Sequence, residues 1–152
     1  MAKPKPYQYK ACGLDNVFLI GGVELLETPR GKVVQIKDLE GLHRAIGHWL
    51  VHEKKNLTGK EFRFLRHEIN LTQQNLAALL GTDVQNIGRW ERGDGDKVPG
   101  PAQAVIRLLY EETINNNPAI KGPLERLAEL DEQEDEEDMR FPYGPEGWSA
   151  AA

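Results

Sequence analysis

With 152 residues, 28% of them charged and 39% hydrophobic, the chain has room for one globular domain or two small ones sharing a core, and its composition excludes a fibrous or wholly disordered protein. The formal net charge of −5 divides unevenly, because residues 122–152 hold ten acids against two bases and residues 1–121 are left at +3, so the acidity does not exclude a nucleic-acid partner. The single cysteine, Cys12, excludes an internal disulfide framework and a multi-cysteine metal site.

The start MAKPKPYQYK is basic but has no apolar stretch behind it. Val17 to Leu26 is interrupted by Gly21, Gly22 and Glu24. No secretory signal or membrane span is therefore expected, and the expected location is cytoplasmic. Residues 7–10 suit a short strand, and Val17 to Ile20 is β-prone. Gly21-Gly22 reads as a two-residue hairpin turn into Val23 to Thr28. Thr28-Pro29-Arg30-Gly31 is a β-turn sequence leading into Val33 to Ile36, since proline presets the second turn position. These turns predict a small antiparallel meander. Asp38 can cap a helix on which Leu39, Leu42, Ile46, Trp49 and Leu50 form an apolar stripe.

Thr58-Gly59-Lys60-Glu61 has the spacing of a capping box. The helix it opens carries Phe62, Leu65 and Ile69 on one face, and Phe64 falls off that stripe, where it either packs against the N-terminal domain or stands as a lone exposed phenylalanine. Beyond residue 93 a glycine-rich loop leads to Pro101, which suits the first turn of a helix through Ile106, Leu109 and Tyr110. Asn115-Asn116-Asn117-Pro118 breaks it. Pro123 starts one more amphipathic segment with Leu124, Leu127 and Leu130 on one side. From Asp131 the run DEQEDEED and the following FPYGPEGWSAAA have the composition of a disordered acidic tail. Such a tail either occupies basic surface of its own domain or serves only to solubilise the chain.

The stretch LTQQNLAALLGTDVQNIGRWERG, residues 71–93, predicts two short helices joined by a sharp turn. Thr72 can cap the first, and Gly81 suits the left-handed residue that ends it. Asp83 can cap the second, whose Ile87 and Trp90 point to the core. Small Ala77 allows a close crossing, and helices this short need bracing by their neighbours. The outer face of the second helix then carries Val84, Gln85, Asn86 and Arg89. Gln and Asn can bond adenine in two places, and Arg does the same with guanine. Gly88, in mid-helix, costs about 1 kcal/mol relative to alanine. It fits either a close approach to DNA or a tight contact between helices.

Leu71-Thr72-Gln73, Leu76-Ala77, Leu80-Gly81, Ile87 and Arg89-Trp90-Glu91-Arg92-Gly93 resemble the Cro/lambda-repressor (XRE) helix-turn-helix, over roughly residues 58–112. The resemblance implies that Thr72 and Gln73 lie at the phosphate-contacting start of one helix. It implies that Val84, Gln85 and Asn86 face bases and that Arg92 approaches phosphate; Arg89, on the same outer face, fits either a base or phosphate contact or an ion pair with a carboxylate. Val84 departs from the usual polar residue, leaving a thymine-methyl contact or a silent position. Tyr9 to Leu14 faintly resembles half of the zinc knuckle that precedes an XRE domain in antitoxins of the MqsA type. Four ligands are needed and one cysteine exists, and His43, His48, His52 and His67 do not complete a set. His48 and His52 are four apart on a helix, a spacing that could bind metal but more often means solvated surface. No metal or other cofactor is expected.

No nucleophile–base pair, phosphate-binding glycine loop or paired-carboxylate motif is visible, so no enzyme is expected. The expected fold is α+β: a β-meander plus helix over 1–56, an all-α helix-turn-helix domain over 57–130 and a disordered tail over 131–152. The expected function is a sequence-specific double-stranded-DNA-binding transcriptional regulator, a homodimeric repressor on a palindrome. The alternative is an antitoxin whose N-terminal domain binds a partner toxin and which autoregulates its operon.

Overall fold

The computed structural model describes residues 5–93, 97–116 and 138–149. The segment from Pro123 through Leu130, and the acidic run except Asp138, lie outside the described residues. The architecture is the expected α+β, with five helices and three short antiparallel strand pairs among the described residues. Among the described residues no helix is long and apolar enough to cross a membrane.

Strand β1 (Tyr7–Gln8) pairs with β2 (Phe18–Leu19), with Tyr7 opposite Leu19. The amide of Tyr9 extends this pairing by donating to the Val17 carbonyl at 2.9 Å. This corrects the expected meander, because Val17 to Ile20 does not form a hairpin with Val23 onward. Leu19 is drawn into the core, which turns β2 back toward β1. Gly21 and Gly22, at φ of 82° and 71°, redirect the chain between two separate ribbons, using backbone angles that a side chain would resist. Strand β3 (Val23–Thr28) then pairs with β4 (Gly31–Ile36) across the expected Thr28-to-Gly31 turn. The Thr28 hydroxyl donates to the Gly31 carbonyl at 2.8 Å and accepts from the Arg30 amide at 3.3 Å. Leu25, Leu26, Val33 and Val34 of this ribbon are exposed.

Helix α1 (Leu39–His52) is capped by Asp38, whose carboxylate accepts from the Gly41 amide at 3.1 Å. At its other end Arg107 donates to the carbonyls of Leu50, Val51 and Lys55 at 2.6, 2.8 and 3.2 Å. A cation at a helix C-terminus thus satisfies carbonyls that have no partner within the helix. Helix α2 (Gly59–Glu68) opens with the expected capping box: the Glu61 amide donates to Thr58 Oγ1 at 3.2 Å, and the Thr58 amide to Glu61 Oε1 at 2.8 Å. Lys54 lies 3.5 Å from the other oxygen of the buried Glu61.

Helices α3 (Gln73–Leu80), α4 (Val84–Arg92) and α5 (Gly100–Ile114) follow. Pro101 lies in the first turn of α5, where its missing N–H costs nothing. Phe62, Leu65, Leu76, Ile87 and Ile106 share one core with Leu14 and Leu50, so apolar packing runs continuously across residue 57. Phe64 is buried toward the N-terminal region, with its ring 5.5 Å from that of His43. His43 also pins the first strand pair. The buried Tyr9 phenol is 2.8 Å from His43 Nε2, and His43 Nδ1 is 2.8 Å from Glu68 Oε1. Burial, with smaller contributions from Cys12 and Glu68, pushes the Tyr9 phenol above its ordinary pKa of 10.0. The Glu68 carboxylate can only accept, so Nδ1 carries the proton toward it, and the protonated phenol can then donate to Nε2.

Two close approaches set how the helices meet. A Cβ on Gly47 would lie 2.0 Å from the Tyr110 hydroxyl oxygen, so glycine there lets α5 press its phenol against α1. A Cβ on Gly59 would lie 1.9 Å from the Trp90 carbonyl oxygen, so the start of α2 abuts the end of α4 backbone to backbone. Within the expected tail, β5 (Tyr143–Gly144) and β6 (Gly147–Trp148) form a hairpin. Proline-glycine content suggests disorder, but Pro145 presets the turn and the Tyr143 and Trp148 rings pair across the strands at 5.1 Å.

Candidate nucleic-acid interface

Residues 71–93 fold as their capping signals require. Thr72 Oγ1 accepts from the Asn75 amide at 3.0 Å, and α3 ends at Gly81 in the left-handed conformation (φ 65°, ψ 32°). The Thr82 amide then donates to the Ala77 carbonyl at 3.0 Å, closing the helix end. Two residues later Asp83 Oδ1 accepts from the Gln85 amide at 3.1 Å and starts α4. The link between the helices is thus Gly81 to Asp83, with small, buried Ala77 beneath the crossing. Ile87 is fully buried, and Trp90, expected in the core, is half-buried and set edge-on to Phe62 at 6.2 Å.

On α4, Gln85, Arg89 and Arg92 are exposed and recur at i, i+4 and i+7, forming one outward stripe. Val84 stands exposed at the tip of the helix. Asn86 is placed differently from its neighbours: it is half-buried, and its amide nitrogen donates to Thr82 Oγ1 at 3.0 Å. One donor of Asn86 is thereby committed within the protein. Gln73, at the start of α3, is also half-buried, and its amide nitrogen donates to Glu91 Oε1 at 3.2 Å. Thr72 is exposed beside it. Gly88 is buried, and a Cβ there would meet only Arg92 Nη1, at 3.1 Å. The glycine therefore seats the Arg92 side chain rather than a neighbouring helix.

A buried ion pair fixes this unit to α2. Arg66 Nε and Nη2 donate to Glu91 Oε2 and Oε1, both at 2.8 Å, with the side chains 7% and 4% exposed. Arg66 Nη1 donates to the Leu71 carbonyl at 2.9 Å. Charges removed from water need this much compensation, and two parallel bonds also set the angle between the groups they join. Glu91 thus orients α4, α2 and the Gln73 amide together. Sequence reasoning missed Arg66, although a signal exists. Phe62, Leu65, Arg66 and Ile69 follow helical core spacing, as do Ile87, Trp90 and Glu91, and opposite charges on two buried stripes suit a pair.

His67 lies beside this pair. Burial, and then the Arg66 and Arg63 guanidinium groups, hold its imidazole below its usual pKa of 6.5. Arg63 Nε donates to its Nε2 at 3.3 Å, as a neutral ring allows. The exposed face of α4 offers the amide of Gln85 and the guanidinium groups of Arg89 and Arg92. Cys12 is half-buried and belongs to no cluster of three metal-ligating side chains among the described residues. Comparison of the chain with protein-family models, curated proteins and solved structures gives no match.

Proposed function

We propose that the protein is a sequence-specific double-stranded-DNA-binding regulator, acting as a homodimeric repressor without a catalytic step. The observation that carries this reading is the exposed stripe Gln85, Arg89 and Arg92 on a short helix, held at a fixed angle by the Arg66–Glu91 pair. A protruding helix of this kind fits the major groove, where Gln85 and Arg89 can meet base edges. Arg92 and the start of α3, with Thr72 and Gln73, suit phosphates. Val84 suits a thymine methyl. Asn86 keeps its amide oxygen for a base while its nitrogen stays on Thr82. One such unit reads few base pairs, so two copies on half-sites about 10–10.5 bp apart are expected.

Sites selected from a random DNA pool by the purified protein, followed by footprinting, test the reading. Gln85→Ala should cost about 1–3 kcal/mol on the selected site and leave random DNA nearly unchanged. Arg92→Ala should weaken all sequences alike and reduce the salt slope by about one charge. Equal losses on selected and random DNA for Gln85→Ala would refute base readout. A pool that yields no enriched sequence would refute the function. A second reading, an antitoxin whose N-terminal region binds a toxin, is favoured by the exposed Leu25, Leu26, Val33 and Val34 of the β3–β4 ribbon. Leu25 is opposite Val34 and Leu26 opposite Val33, so each face of the ribbon exposes one apolar pair, and exposed apolar surface of this kind can mark a partner site. That reading is compatible with DNA binding and autoregulation in a cytoplasmic protein.

A further inference from the structure

We infer that His48 and His52 of α1, together with Glu111 of α5, form a binding site for a divalent transition-metal ion, with zinc the expected occupant. The ligating atoms of these three side chains all lie within 4.8 Å of one another. No ligand set of this kind is visible in the sequence, because Glu111 lies 59 residues beyond His52. The fold supplies it by packing α5 along α1.

The geometry on each helix is suitable. Residues four apart share a helix face, and the His48 and His52 rings have centroids 4.4 Å apart. His52 Nε2 already contacts Glu111 Oε1, so the carboxylate points at the imidazoles rather than past them. The other Glu111 oxygen is 3.5 Å from the Asn115 amide nitrogen. Arg107, one turn earlier on α5, is committed to the α1 carbonyls and does not compete for Glu111 at short range. Tetrahedral zinc with bonds of about 2.0–2.1 Å needs its ligand atoms roughly 3.4 Å apart. No pair must therefore close by more than about 1.4 Å, while His52 Nε2 and Glu111 Oε1, already in hydrogen-bond contact, must part to admit the ion between them; both movements are within reach of rotamer adjustment by side chains at the surface.

The donor set selects the class of ion. Two imidazoles and one carboxylate suit zinc, nickel or copper, whereas magnesium and calcium require oxygen donors. One negative charge partly offsets the cation, and a fourth position stays open to water. Because the ligands come from two helices, a bound ion cross-links α1 to α5 and stabilises the folded chain by mass action.

The test uses full-length protein freed of metal by a chelator and titrated calorimetrically with zinc, nickel and, as a control, magnesium. One zinc or nickel ion per chain is expected, with no magnesium binding and a higher Tm in the presence of zinc. Changing an outer-shell partner of a metal site commonly costs 10–100-fold in affinity, so losing one of three direct ligands should cost at least about tenfold. His48→Ala, His52→Ala and Glu111→Gln should each show that loss and lose the Tm gain, while Cys12→Ser should show neither. Circular dichroism checks that each variant is folded. Nickel should also selectively broaden the imidazole proton resonances of His48 and His52. Absence of zinc binding at millimolar concentration would overturn the site. So would uptake unchanged in all three ligand variants, or broadening confined to other residues.

Discussion

Glu91→Ala should be among the most damaging single changes in the chain, although Glu91 is buried and not part of the exposed stripe on α4. The substitution leaves the Arg66 guanidinium buried with the Leu71 carbonyl and, at 3.5 Å from Nη2, His67 Nε2, but with no counter-charge in contact among the described residues. An uncompensated buried charge of this kind costs about 3–5 kcal/mol. Against a total stability of about 5–15 kcal/mol, that is a large share. With an m-value of about 2 kcal/mol/M, the urea midpoint should fall by about 1.5–2.5 M. Replacing both partners by apolar residues, Arg66→Met with Glu91→Leu, removes the desolvation cost along with the attraction. The double variant should recover to within about 1–2 kcal/mol of the parent, with the Leu71 carbonyl losing its donor. Urea unfolding of the parent, both single variants and the double variant completes the cycle. A Glu91→Ala loss below about 1 kcal/mol would mean that the pair behaves like an exposed one. A double variant as unstable as the single would mean that the pair is a net source of stability. Either result would refute the reasoning.

Gly59→Ala should destabilise by about 1–3 kcal/mol in urea unfolding, because its Cβ meets the Trp90 carbonyl oxygen, a backbone atom fixed in α4; an unchanged midpoint would refute that contact. Gly88→Ala should do the opposite, gaining about 0.4–1 kcal/mol, since its Cβ meets only the end of the flexible Arg92 side chain. A net loss there would show that Arg92 cannot give way. His67 makes stability pH-dependent: its imidazole is held below 6.5 in the folded chain and returns to that value on unfolding, so the unfolded state binds the proton first. Stability should therefore decline as pH falls below about 6.5, and the decline between pH 7.5 and 5.5 should be shallower in His67→Gln; equal slopes would refute the linkage.

The local structure of α3, α4 and the turn between them was legible in the sequence because its signals are local. Thr58, Thr72 and Asp83 cap the helices they were expected to cap, and Gly81 takes the left-handed turn, since each of these bonds spans only two or three residues. The apolar spacing of Phe62, Leu65 and Ile69 likewise named the buried face of α2. Strand partners were less legible. The Gly21-Gly22 signal was real as a turn, but β2 pairs back to β1 because Leu19 is drawn into the core, and no dipeptide rule contains that contact. The rest depended on tertiary packing. The Arg66–Glu91 pair, the Tyr9–His43–Glu68 chain and the convergence of Glu111 on His48 and His52 each join residues 25 or more positions apart. Only the packing of the helices against one another sets such distances, and it also separates Asn86, turned to Thr82, from exposed Gln85 beside it. Sequence thus fixed which residues could face outward from α4, while tertiary structure decided which of their hydrogen-bonding groups remain available, because a side chain's partners are set by what packs around it.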